Sequence, residues 1–266
     1  MFARTPGGLH LNRLFQGDIA QALIPLKLKS IEWMNGALSN VKVAVEVGTG
    51  WVPAIPLGLT ARGIRVHTYD RTRYVTQKAI DDALAGMGGD WSMVDYHAPA
   101  DAAKTGLPDE SADLHFSFSV FEHLPIDTMK DILREAYRLL KPGALAFHCI
   151  DCTDHFSGFD SSITSVNFLK FSEGAWSWLA QNRIHHHNRL RASDYLSIFK
   201  ECAFEIVEAK AEVDPRALAA LKTMRLDPRF RTYSPDDLAT SQLTLTARKP
   251  WSAPAFAVSR GDRMFR

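Results

Sequence analysis

VKVAVEVGTGWVP, residues 41–53, decides how this chain folds. The β-branched run reads as a strand, and Gly48 ends it. Glycines at 48 and 50 let the backbone turn sharply and approach a ligand, and a helix starting just beyond would aim its free N–H groups at that ligand. Pro53 and Pro56 fit such a helix only in its first turn, where the amide that proline lacks has no intrahelical partner anyway. A tight strand-to-helix turn that binds nothing is the competing reading.

Working outward, short apolar strands alternate with helix-competent stretches. IRVHTYD (64–70) and WSMVD (91–95) read as the second and third strands, DLHFSFSV (113–120) as the fourth and ALAFHCI (144–150) as the fifth. Residues 127–140 carry Ile132, Leu133, Ala136, Leu139 and Leu140 on one side of an amphipathic helix that KPG (141–143) stops. ASDYLSIFK (192–200) predicts a later helix capped by Ser193 or Asp194. FEIVEAK (204–210) and QLTLTAR (242–248) predict two late strands. This alternation means right-handed crossovers, an α/β fold with a mostly parallel sheet, and ligands at the carboxyl ends of its strands.

The rest of the chain divides around that sheet. Residues 1–40 predict an N-terminal helical cap, 41–250 the main domain with insertions at about 151–190 and 211–240, and 251–266 a C-terminal tail. The 266 residues, 46% hydrophobic, can bury a large core, and 31 basic against 30 acidic residues create no field to gather nucleic acid or an anionic membrane. Three cysteines make neither a disulfide framework nor a four-thiolate zinc site. No apolar run is long enough to span a membrane, and the first residues lack a basic and then apolar leader pattern, so the expectation is a cytoplasmic protein.

Carboxylates fall at three successive strand ends. Glu46 would repel a pyrophosphate and welcome a cation; Asp70 is placed to accept hydrogen bonds from two ribose hydroxyls; Asp95 could read an adenine amino group. A dinucleotide fingerprint would want a third glycine where Pro53 stands, which counts against an NADP-linked reductase using Arg71 and Arg73 on a 2′-phosphate.

The series EVGTG, YD, VD, SADLHFSFSVFEHL and LREAYRLLKPGALAF, running in order from about 41 to 150, resembles the motifs of class I S-adenosylmethionine-dependent methyltransferases. The resemblance implies a Rossmann-like seven-stranded sheet with its last strand antiparallel and helices on both faces. It implies S-adenosylmethionine as cofactor, with Glu46 near the methionyl ammonium and Gly48, Thr49 and Gly50 beneath it. Asp70 and Arg71 would lie by the ribose, Asp95 and Tyr96 beside the adenine, and Ser119 and Val120 would line the site. Pro53 departs from the pattern and puts the shape of the turn in question. More loosely, GTGWVP, DHF, NFLKFSE and NRLRASDYL are similar to bacterial methyltransferases of polysaccharide and secondary-metabolite assembly.

The fifth strand delivers HCIDCTDHF (148–156) to the same sheet edge. A sulfonium methyl is already activated, so the protein must position a nucleophile and remove its proton. Histidine suits that task because its pKa lies near neutrality. His155 is the candidate base, oriented by Asp151 or Asp154; His148 is a second candidate, though a strand histidine commonly belongs to the core. Asp151 and Asp154 could instead hold Mg²⁺, or merely cap a turn. His123, Asn188 and Arg189 are candidate acceptor-binding residues; the resemblance implies that Glu122 and His123, after the fourth strand, lie close to the cofactor, and otherwise they simply start the crossover. His185, His186 and His187 read as a solvated loop from which one ring could reach the pocket. Phe168, Phe171, Trp176 and Trp178 could stack on sugar or pack as a lid.

Together these readings predict O-methylation of a small hydroxylated acceptor, a sugar or glycan precursor first and a secondary-metabolite scaffold second, with N-methylation as the nearest variant. A methyltransferase-like module without chemistry is the alternative outside enzymology. Nucleic acid and membrane insertion are not expected, and the N-terminal helices could serve a homodimer.

Overall fold

The computed structural model describes residues 29–158, 160–180 and 187–252. Most of the expected N-terminal cap, His185, His186 and most of the C-terminal tail lie outside the described residues. Seven strands form one sheet: β1 (Val43–Val47), β2 (Arg65–Tyr69), β3 (Val94–His97), β4 (Ala112–Phe118), β5 (Leu140–Asp151), β6 (Glu205–Val213) and β7 (Thr240–Arg248). Their order is β3-β2-β1-β4-β5-β7-β6. Pairing is parallel from β3 to β5, whereas β7 runs antiparallel to both β5 and β6. This is the Rossmann-like methyltransferase sheet that the motif series implies.

Helices α1 (Ala54–Thr60), α2 (Gln77–Met87), α3 (Ile126–Leu139), α4 (Glu173–Ala180), α5 (Ala192–Glu201), α6 (Pro215–Leu221) and α7 (Pro235–Leu238) fill the connections. In α3, Met129, Ile132, Leu133, Ala136 and Leu139 are buried at helical spacing, Asp127 lies in the first turn and Arg138 in the last, so packing and the helix dipole agree. Alternation along β1 sends Val45 and Val47 into the core shared with α3 and α5. Ala44 goes into the opposite core, with α1 and with Ile31 and Met34 of the preceding helical segment. Glu46 therefore shares the Ala44 face.

Three local expectations shift. WSM (91–93) is a 3₁₀ turn, and the third strand begins only at Val94 and continues to His97. Lys141-Pro142-Gly143 opens β5, held where the Gly143 N–H donates to the Lys249 carbonyl at 2.9 Å and the Lys249 N–H to the Ala144 carbonyl at 3.0 Å. Helix α5 is capped at Arg191, whose N–H donates to Asp194 at 2.8 Å, so Asp194 works from inside the first turn. Residues from the stretches 151–190 and 211–240 bury one another: Val166, Phe168, Leu169 and Trp176 pack with Ala217, Phe230 and Leu238.

Candidate active site

At the end of β1 the chain turns through Gly48 and Gly50, both at positive φ, where a side chain would be strained. A Cβ on Gly48 would meet Val120 at 2.6 Å, so glycine lets the β1 turn lie against the segment after β4. Gly50 has open space over it. Pro53 caps α1 and Pro56 falls in its first turn, which resolves the departure at Pro53. Glu46 is buried, its Oε2 accepting the Thr49 hydroxyl at 2.5 Å and the Thr68 hydroxyl at 2.8 Å, and the two threonine hydroxyls also touch. Asp70, buried after β2, accepts the Gly50 N–H at 3.3 Å. Two carboxylates with fixed partners thus flank an open glycine turn, an arrangement that fits a cationic ligand bearing vicinal hydroxyls.

Tyr96 projects on the Thr68 and Glu46 side, and its hydroxyl accepts the Tyr74 N–H at 3.0 Å, holding the loop after β2; Arg73 lies over its ring. Trp51 of the glycine turn packs on Tyr74 with ring centroids 4.7 Å apart. Arg71 is exposed. Asp95 does not close its strand. It pairs in register with His67, two residues short of the end of β3, and binds Arg65 at 2.9 Å and His67 at 3.3 Å. The Arg65 ion pair commits its carboxylate, which is therefore not free to read a base at the sheet edge.

The carboxyl ends of β4 and β5 gather the histidines. Ser119, at positive φ, donates its N–H to the Cys149 carbonyl at 2.9 Å and is exposed, with Val120 beside Gly48. A 3₁₀ turn, Phe121–His123, then brings Glu122 and His123 beside His155, which opens a second 3₁₀ turn after β5. The ligand atoms of Glu122, His123 and His155 all lie within 4.8 Å of one another. His155 Nε2 is 3.3 Å from Asp151 Oδ2, and about a third of the His155 side chain is exposed. Burial would raise the pKa of Asp151, but His155 and Thr153 hold it below the usual value. His187 stands 4.7 Å from the His155 ring and is buried against Phe168; burial, then the neighbouring imidazoles, lower its pKa to about 3.

Several expected site residues are committed elsewhere. His148 is fully buried, hydrogen-bonded to Ser117 Oγ at 2.8 Å and stacked on Phe121 at 4.4 Å, which removes it as a base. Arg189, its side chain 0% exposed, donates to the Phe168 and Phe171 carbonyls at 3.0 and 2.6 Å and pairs with Glu173 at 2.7 Å. It cannot fork onto an acceptor. Asn188 donates to the Phe121 and Leu124 carbonyls at 2.7 and 3.0 Å and accepts from Leu190 N and Tyr195 OH, so it pins the Glu122–His123 turn rather than binding a ligand. Asp154 is buried and accepts the Phe156 N–H at 3.0 Å, while Asp151 accepts both Thr153 donors. These two carboxylates look to different neighbours, and the cluster of potential ligand atoms among the described residues is Glu122, His123 and His155, not the two aspartates expected to hold Mg²⁺. Phe168 and Trp176 are core, whereas Trp178 is 84% exposed.

The resemblance puts Glu122 with His123 close to the cofactor and gives it no chemical role of its own. Yet it is 1% exposed, with no hydrogen-bond partner of good geometry on either oxygen among the described residues. Burial pushes its pKa well above the ordinary value, and the negative Asp151 pushes it the same way. The dyad Glu-His directly after a strand was the available signal.

Strand order, the antiparallel β7 and a glycine turn flanked by carboxylates define a Rossmann-like methyltransferase fold. Residues 45–148 match the family described as "Methyltransferase domain". Over those residues the chain carries a methyltransferase domain, and S-adenosylmethionine is the cofactor such a domain implies. A search of curated proteins by sequence finds no match. Among solved structures, a provisionally assigned methyltransferase of Bacillus halodurans is similar at 18% identity and TM-score 0.51, covering 83% of this chain and 98% of that one. A provisionally assigned sarcosine dimethylglycine methyltransferase of Galdieria sulphuraria is similar at 16% and 0.51, covering 84% of each chain. A provisionally assigned O-methyltransferase of Nostoc punctiforme is similar at 13% and 0.53, covering 85% of this chain and 56% of that one. At these identities the likeness speaks for the fold alone. Among the described residues no helix is long and apolar enough to cross a membrane.

Proposed function

We propose that the protein transfers a methyl group from S-adenosylmethionine to a hydroxyl of a small polar acceptor, a sugar or glycan precursor, with His155 as general base oriented by Asp151. The observation that carries this reading is the Asp151–His155 contact of 3.3 Å at the carboxyl edge of the sheet, on the segment that follows β5, separated from β1 and its glycine turn by β4. A proton on Nε2, on the side facing Asp151, leaves the imidazole lone pair on Nδ1 for the acceptor hydroxyl. Glu46, Gly48, Thr49, Gly50, Asp70, Tyr96, Ser119 and Val120 would hold the cofactor. Asp70 offers its carboxylate to ribose hydroxyls, and the field of Glu46 favours the charged methionyl end. The deciding experiment measures methyl transfer to a panel of monosaccharides and nucleotide sugars alongside S-adenosylhomocysteine binding by calorimetry. His155→Ala should keep the binding and lose about 10²- to 10⁴-fold in turnover. Turnover that survives this change at full rate rules the base out.

A further inference from the structure

Beside the cofactor turn, one carboxylate is placed at a cost the fold does not recover. Glu122 is 1% exposed and neither oxygen has a well-formed hydrogen bond among the described residues. A buried charge whose contacts are poorly aligned backbone N–H groups, its own and that of Asp151, is expensive, and protonation is only a partial remedy because it leaves the same oxygens poorly bonded. Two imidazoles, those of His123 and His155, bring nitrogen atoms within 4.8 Å of that carboxylate and of each other. The three side chains come from the turns that follow two adjacent parallel strands, so the fold itself sets their convergence.

We propose that Glu122, His123 and His155 form a binding site for a divalent first-row transition ion such as Zn²⁺, Mn²⁺ or Fe²⁺. A carboxylate with two imidazoles suits such ions, whereas Mg²⁺ prefers oxygen ligands throughout. An ion there gives Glu122 a positive partner that no described residue supplies. Asp151, 3.3 Å from His155 Nε2, occupies the place of the outer carboxylate that fixes the tautomer of a ligating histidine and raises its basicity. Three protein ligands leave positions open for an acceptor oxygen.

The site deepens the proposed function and rests on it only for the acceptor. In the ion-bound enzyme the His155 lone pair is spent on the ion. The ion then does the base's work by lowering the pKa of the coordinated hydroxyl, whose proton goes to water. The same two imidazoles thus have two chemistries, and ion content decides between them.

The test is Co²⁺ titration of chelator-treated protein, followed by visible absorption and calorimetry, with His185 and His186 changed to Ala because they adjoin His187 in sequence. The expected result is one high-affinity Co²⁺ per chain, not displaced by excess Mg²⁺. Glu122→Gln and His123→Ala should each weaken binding more than tenfold, and Asp151→Asn by about 10- to 100-fold. Unchanged S-adenosylhomocysteine affinity in those variants shows that the domain is still folded. No Co²⁺ uptake, or uptake of equal affinity in Glu122→Gln and His155→Ala, overturns the site. Full methyl transfer by metal-free enzyme overturns the ion's role and keeps the base; Co²⁺ bound as described with no transfer to any hydroxylated acceptor keeps the site and overturns the proposed function.

Discussion

Two groups of histidines sit a few residues apart in this chain and share almost nothing but the ring. His115 and His148 face each other inside the sheet on β4 and β5, with nitrogens 3.4 Å apart, Ser117 on one side and Phe121 and Phe199 stacked around. His123, His155 and His187 meet just past the ends of the same two strands, beside Glu122 and Asp151. The first group is a hydrogen-bonded part of the core. The second contains atoms, both Glu122 oxygens and His155 Nε2, that form no hydrogen bond of good geometry among the described residues. Residue type does not separate them; what does is whether the neighbours finish the hydrogen bonding, because incomplete bonding at an open edge is what a ligand can complete.

The largest effect expected from this contrast is on turnover. His155→Ala should reduce methyl transfer by about 10²- to 10⁴-fold while shifting the urea midpoint little, since its side chain is partly exposed. His148→Leu should do the reverse, leaving turnover per folded molecule intact and costing about 2 kcal/mol through the stranded Ser117 hydroxyl and imperfect packing. Equal loss of turnover in both variants would break the distinction between the groups.

Acid should expose the inner pair next. Burial lowers the pKa of His115 from 6.5 to about 4, and burial likewise lowers that of His148. The folded state therefore binds fewer protons than the unfolded state between those values. This share of stability is complete above pH 6.5 and is lost as the pH falls through about 4. Over that window His115 alone accounts for about 3 kcal/mol. The stability gap between wild type and His115→Phe, read from urea melts at pH 7.5, 6 and 5, should narrow steadily toward acid. A constant gap would mean the pair does not titrate there.

A smaller change should disturb the outer group alone. Asn188 bonds the Phe121 and Leu124 carbonyls and sits between His187 and the Glu122–His123 turn. Asn188→Leu strands those carbonyls, for about 1–2 kcal/mol, and should lower turnover roughly tenfold by loosening the turn without touching His155. Retained turnover would show that the turn is held by its own packing.

Much of the fold was legible because its signals are local. Alternating valines in β1, the 3.6-residue spacing of Ile132, Leu133 and Ala136 in α3, and the prolines at the start of α1 each state their own structure. The glycine turn after β1 was legible for the same reason. The other edge was not, because membership there depends on partners far away in sequence. Arg189 and Asn188 look like binders until Phe168, Glu173, Phe121 and Tyr195 close around them. Asp95 looks like a strand end until β3 runs on to His97 and Arg65 claims its carboxylate. Glu122 is anonymous in sequence because its distinction is the absence of a good partner, and only three dimensions reveal that.

The finest test concerns one hydroxyl. Ser117 Oγ lies 2.8 Å from His148 Nδ1, while His148 Nε2 faces His115 Nδ1 at 3.4 Å, so a single proton choice runs through all three groups. Whichever tautomer His148 takes, Ser117 can answer it, since a hydroxyl both donates and accepts. Ser117→Ala should cost about 1 kcal/mol by leaving Nδ1 buried without a partner. His148→Leu strands the same bond from its other end, so the double variant should cost less than the sum, by about 1 kcal/mol in a mutant cycle on urea midpoints. Turnover per folded molecule should stay level across all three. Strict additivity would mean that His148 is fixed by Phe121 and Phe199 alone. The inner pair would then differ from the outer cluster by packing rather than by completed hydrogen bonds.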